Sequence, residues 1–206
     1  IRKGLRLGGV VSSVFINEFH YDNAGTDAGE FIEIAGPAGT DLAGYSLVLY
    51  NGVASLRSPY DTLALSGVLG DDAGPGYGFA AFSFPQTQNG APDGFALLDP
   101  SDTVLQFLSY EGVFMAAGGP AVGLTSTDIG VAEASSTPVG QSLQLGGTGS
   151  AYADFAWQSA LAETPGALNV NQTFEPLEVV PLPAALPLLL AGLDALRALA
   201  RPRAAA

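Results

Sequence analysis

The chain has 206 residues and a formal net charge of -13, with seven Lys and Arg against twenty Asp and Glu, and no cysteine. That length allows one substantial domain and a tail. The missing cysteines exclude disulfides, thiol catalysis and cysteine-based zinc or iron sites. Between Leu7 and Leu196 the only base is Arg57. A surface that grips nucleic acid needs clustered Lys and Arg, so direct binding of nucleic acid by the body is disfavoured.

The first stretch, 1–13, carries Arg2, Lys3 and Arg6 ahead of a short apolar run. It reads as the remnant of a signal peptide or as a ragged fragment end. From 14 to 174 the pattern is one of short strands between turn-rich loops. Strands are predicted at 14–19, 30–35, 45–50, 62–65, 78–82, 94–98, 104–109, 142–145 and 155–157. Several alternate apolar and polar residues, as a sheet with one wet face requires. Tyr45, Leu47 and Leu49 share one face, and Ser46, Val48 and Tyr50 take the other. Phe107 and Ser109 fall opposite Leu108 and Tyr110, while Phe155 and Trp157 read as core residues near the end of the sandwich. Glycine-rich turns punctuate the strands. The segment 115–140 has weak strand signal and reads as a large loop or strap. Nine short strands in one body predict an all-β sandwich.

The densest polar cluster is Asn17, Glu18, His20, Asp22, Asn23, Asp27, Glu30 and Glu33. Two strands joined by the loop 20–29 bring Glu18 and Glu33 side by side, where a proton, a base or a cation must relieve their repulsion. Asp22, Asn23, Asp27 and Glu30 offer the oxygen ligands that Ca2+ prefers, without EF-hand spacing. The same residue types equally cap turns on their own backbone. Alternation places Ile16, Glu18 and His20 on one strand face. His20, the only histidine, reads as a base oriented by Glu18 or Asp22, or as a turn anchor. Neither a GxSxG elbow nor an HExxH is present.

The stretch FINEFHYDNAGTDAGEFIEIAGPAGTDLAGYSLVLYNG resembles the lamin-tail domain in its bacterial secreted form. QFLSYEG and TPGALN continue the likeness, which covers about residues 12–174. The resemblance implies an immunoglobulin-like β-sandwich, with Ile16, Asn17 and Glu18 and then Glu30 to Ile34 as fold signatures. It implies no catalytic residues. Such domains accompany secreted nucleases, phosphatases and surface proteins.

At 175–206 the composition shifts to a proline-rich linker and an apolar segment closed by Arg197, Arg201 and Arg203. A helix over 187–200 would be about 21 Å long, short of a hydrocarbon core of about 30 Å. The tail resembles a C-terminal exosortase sorting signal of the VPLPA form, carried by Val180, Pro181, Leu182, Pro183 and Ala184. Asp194 and the early Arg197 depart from that pattern. The resemblance implies an exported protein handled by exosortase-type sorting machinery, with the tail transiently in the inner membrane. Together these readings predict a non-enzymatic surface or extracellular-matrix module, whose partner is an extracellular polysaccharide or protein. The alternative is an accessory domain or fragment of a secreted nuclease or phosphatase.

Overall fold

The computed structural model describes residues 14–176, apart from 75, 86 and 91. Eleven strands follow in order: β1 (Phe15–His20), β2 (Phe31–Pro37), β3 (Ser46–Asn51), β4 (Ser58–Ala64), β5 (Tyr77–Ser83), β6 (Asp93–Leu98), β7 (Val104–Tyr110), β8 (Thr127–Asp128), β9 (Gln141–Gly149), β10 (Phe155–Ala162) and β11 (Gln172–Phe174). A 3-10 turn spans Tyr152–Asp154. One sheet runs β10-β9-β1-β2-β5, with β11 added in parallel to β9; the other runs β4-β3-β6-β7-β8. The all-β expectation holds, and every predicted strand is present. The stretch 1–13, and the tail from 177 onward with its sorting motif, lie outside the described residues. No helix among the described residues is long and apolar enough to cross a membrane.

The sheets pack face to face. Ile16 and Phe19 of β1, Ile32 and Ile34 of β2 and Leu143 of β9 meet Leu47, Leu49, Phe95, Leu97, Leu108 and Tyr110 of the second sheet. Phe19 and Phe95 join the layers edge to face, with ring centroids 5.0 Å apart. Each such side chain contributes about 1.5–3 kcal/mol on burial.

The expectation of wet outer faces is corrected. The second sheet turns Val48, Tyr50, Ala96, Leu98 and Phe107 outward, and Phe114, Ala116 and Ala121 cover them. The weak-strand segment is therefore a strap, stitched down by Ala121 N–H donating to Tyr50 Oη at 2.9 Å and Ala117 N–H donating to Arg57 O at 2.7 Å. On the first sheet Phe174 of β11 lies over Phe15, Tyr77, Phe79 and Phe155, stacking on Tyr77 at 4.3 Å. The central strands β1, β2, β3 and β6 are thus buried on both faces and hold apolar residues on both sides, while the edge strands β4 and β10 stay partly exposed. Trp157 on the edge strand β10 is half-buried, and its indole meets Phe19 at 5.2 Å.

Gly119 lets the strap approach Pro59 and Tyr50 closely. Its φ is +70°, and a Cβ there would collide with the Pro59 ring and lie 2.7 Å from Tyr50 Oη. Gly119→Ala is expected to destabilise the body by about 1–3 kcal/mol through backbone strain and overpacking. Urea denaturation of the two proteins measures it; unchanged midpoints would show that the strap does not lean on Tyr50.

Candidate functional site

Three polar arrangements surround β1 and the loop end of the sandwich. The first is the acidic pair expected from the sequence. Glu18 and Glu33 are direct cross-strand partners on β1 and β2, and both are fully buried beneath the segment that follows β10. Protein donors compensate the pair. Glu18 Oε1 accepts from Ser142 Oγ and from Thr164 N–H at 2.8 Å, and its Oε2 accepts from Thr164 Oγ1 at 2.8 Å. Glu33 accepts from Asn17 Nδ2 at 2.9 Å and Gly166 N–H at 2.6 Å. Asn169 ties the covering segment to the sheet through Asn17 O and Leu145 O. Burial raises both carboxyls, Glu33 to about 8, aided by the negative neighbour across the strand. Arg57 lies in the connection before β4 and does not bond either carboxylate.

A bulge changes the face assignment on β1. The register shifts between Ile16 and Glu18, so Ile16 points into the core while Glu18 lies on the opposite face. The extra residue, Asn17, breaks the period of two from which the three residues were expected to align. That face is also covered rather than wet.

The second arrangement centres on His20. Its partner is Glu133, not Glu18 or Asp22: Nδ1 lies 2.9 Å from Glu133 Oε1, and Nε2 lies 3.1 Å from Asn23 Oδ1. Burial alone would lower the imidazole, but the bond and charge of Glu133 outweigh it and raise the pKa to about 9. The protonated ring then donates from both nitrogens. Glu133 Oε2 also accepts from the N–H groups of Tyr21 at 2.7 Å and Asp22 at 3.0 Å. Tyr21 Oη accepts from Glu133 N–H at 2.8 Å and donates to Glu111 Oε1 at 3.1 Å. Its ring stacks on Tyr110 at 4.1 Å. This pins the far end of the strap to β1, a partnership between residues too distant in the chain for local pattern to expose.

The four candidate cation ligands do different things. Asn23 closes its own loop, accepting from Ala28 N–H at 3.0 Å and donating to Ala24 O and Thr26 O. Asp22 and Asp27 come together; burial first, then the charge of Asp27, raises the Asp22 carboxyl. Asn89 Nδ2 donates to Asp27 Oδ2 at 3.3 Å, and the same side chain acts to lower the Asp22 carboxyl. Glu30 is buried at the entrance to β2, where its carbonyl accepts from Phe84 N–H. Among the described residues no group of three or more acids or histidines is placed to hold a metal ion.

The third arrangement is an open pocket of about 370 Å3 lined by Asn51, Val53, Gln88, Asn89, Gly90 and Asp93. Tyrosines fix its floor: Gln88 N–H donates to Tyr60 Oη at 3.0 Å, and Tyr110 Oη donates to Gln88 O. Asn51 Nδ2 donates to Gln88 Oε1. Asp93 is buried and held up at about 6 by desolvation, against the lowering effect of backbone donors from Gly52 and Gly90. Its oxygens are thus committed to the loops, and the amides of Asn51, Gln88 and Asn89 form the polar lining. Asp93 stands in a glycine- and proline-rich stretch where an acid reads as a turn or solvated-loop residue, and nothing in the sequence singles out Gln88. Comparison with protein-family models, with curated proteins and with solved structures finds no match.

Proposed function

We propose that this protein is an exported, non-enzymatic interaction module of the immunoglobulin-like, lamin-tail type, which binds a neutral extracellular polysaccharide through the loop end of its sandwich. The observation that carries the reading is the open, amide-lined pocket between the loops that follow β3 and β5. Amides both donate and accept, which suits hydroxyl groups that do the same. Val53 adds an apolar contact for a sugar ring face. The excess of acid over base disfavours anionic polymers, and the uncharged amides of the pocket suit a neutral one. The residues of the INE and EFIEI stretches form the paired strands β1 and β2, which supports the lamin-tail reading of the fold. In this reading Val180 to Ala184 and the basic end direct export through exosortase-type machinery.

Titration of the intact chain with neutral glucans, followed by calorimetry, tests the binding. Gln88→Ala together with Asn89→Ala is expected to weaken it about tenfold, the equivalent of roughly 1.4 kcal/mol. Failure of every neutral glucan to bind at millimolar concentration would overturn the ligand class. Export is tested separately by locating the protein in cells with and without residues 179–206. Retention of the unaltered chain in the cytoplasm would overturn the sorting role.

The juxtaposed Asp22 and Asp27 favour a second reading, a weak Ca2+ site completed by solvent or ligand oxygens. Calcium calorimetry on the unaltered protein and on Asp22→Ala distinguishes it: heat of binding is expected only with Asp22 present.

A further inference from the structure

Asn51/Gly52 and Asn89/Gly90 are the two places in this chain where asparagine precedes glycine. Such a pair is chemically fragile. The glycine nitrogen gives up its proton and attacks the asparagine Cγ. The new C–N bond closes a succinimide, and the side-chain nitrogen leaves as ammonia, carrying that proton. Water then adds to one of the two ring carbonyls and opens the ring to aspartate or isoaspartate. Glycine makes the closure easy because no Cβ restricts the backbone.

In this fold both glycine nitrogens meet one acceptor. Gly52 N–H donates to Asp93 Oδ1 at 3.0 Å, and Gly90 N–H donates to Asp93 Oδ2 at 3.0 Å. Asp93 is itself 2 % exposed and stands at the first position of β6, paired to Asn51 on β3 and Tyr110 on β7. We infer that the Asp93 carboxylate is a chemical guard for both Asn–Gly pairs, suppressing succinimide formation at Asn51 and Asn89 in the folded protein. Two effects act together. The nucleophile must first break a charge-assisted hydrogen bond. A carboxylate at contact distance also opposes the negative charge that deprotonation puts on the nitrogen.

The two sites differ in their second restraint. Asn51 is held at both ends of its amide, Oδ1 accepting from Val53 N–H at 3.0 Å and Nδ2 donating to Gln88. Asn89 is exposed, and its Nδ2 donates to Asp27 Oδ2. Conversion at Asn89 therefore has the larger consequence. It would remove the donor that Asp27 holds and place a third carboxylate beside Asp22 and Asp27. The guard preserves a neutral amide on the pocket wall whatever the pocket binds.

The folded full-length chain, incubated in mildly alkaline buffer and mapped by peptide mass, tests this against synthetic peptides of the same two loops. Asn51 and Asn89 are expected to convert at least about tenfold more slowly than in the peptides, the factor that loss of one charge-assisted bond supplies. Asp93→Ala is expected to speed both, Asn89 more than Asn51. Conversion of Asn89 at the peptide rate in the unaltered protein overturns the guard. So does an Asp93→Ala chain in which neither site accelerates. Hydrogen exchange on the unaltered protein gives a reading that no variant's folding can confound, because base-catalysed exchange begins with the same deprotonation. Slow exchange at Gly52 and Gly90 is expected, and free-chain exchange at either overturns the guard there. In Asp93→Ala, retained protection of the β1 and β2 amides assigns any acceleration to the lost carboxylate; lost protection assigns it to unfolding and overturns the specific role.

Discussion

Glu133→Ala is expected to destabilise the body by about 3–5 kcal/mol, the range found when one member of a buried ion pair is removed. The mutation leaves three donors without their acceptor: the His20 ring, which is almost fully buried, and the N–H groups of Tyr21 and Asp22. Urea denaturation near neutral pH reads the loss as a lower midpoint with an unchanged slope. The pH dependence identifies the cause. In the unaltered protein the His20 pKa rises from 6.5 to about 9 on folding. A raised folded value means that folding binds a proton. The stabilisation is full below about 6.5 and is lost as pH rises through about 9. Without Glu133 only the lowering effect of burial remains dominant, so the sign reverses. The variant should then lose stability on acidification through the imidazole range, where the unaltered protein gains it. A mutant merely loosened in its strap would show no such reversal.

How much of the fold and site was legible in the sequence follows from the range of each interaction. Alternation within a strand is local, so β3, β6 and β7 were readable, including the opposition of Phe107 to Leu108 and Tyr110. The two added strands were not: β8 has two residues and β11 three, too few to show a period. Each attaches in parallel to a strand already paired elsewhere. The bulge at Asn17 was equally silent, because an extra residue leaves composition unchanged while moving Ile16 to the opposite face. The acidic pair was visible as a pair. Its relief was not, because the donors come from Ser142, Thr164 and Gly166, neutral groups that any loop contains. The same limit hid Glu133, Asn169 and the double role of Asp93. Two facing carboxylates suggest a base or a cation, yet the compensation here is simpler: backbone and hydroxyl donors, most of them supplied by a segment folded over the pair.

That compensation is incomplete, and the shortfall gives the other large expected effect. Glu33 is fully buried, faces Glu18 across the strand pair, and has its pKa raised by desolvation from 4.5 to about 8. Folding therefore takes up a proton between these values. Stability is full below about 4.5, falls as pH rises through about 8, and then levels off, the opposite of a carboxylate in a salt bridge. Its direction agrees with that of His20, so the body should be most stable in mildly acid solution. The Glu33 contribution to the fall is expected to be a few kcal/mol, since each tenfold gain in proton affinity on folding corresponds to about 1.4 kcal/mol. Glu33→Gln isolates it. The amide oxygen can accept from Gly166 N–H while the charge disappears, although the amide nitrogen must then share space with the Asn17 donor. That exchange trades one hydrogen bond, net about 0.5–1.5 kcal/mol, for the cost of ionising a buried acid. Denaturant midpoints measured from acid to alkaline pH should cross: the variant is weaker than the unaltered protein at low pH and stronger above the Glu33 titration. Parallel curves would mean that Glu33 does not change its ionisation on folding. A crossing would show that Glu33 sits best beneath its covering segment as an uncharged acid, because the donors around the pair cannot fully serve two charges.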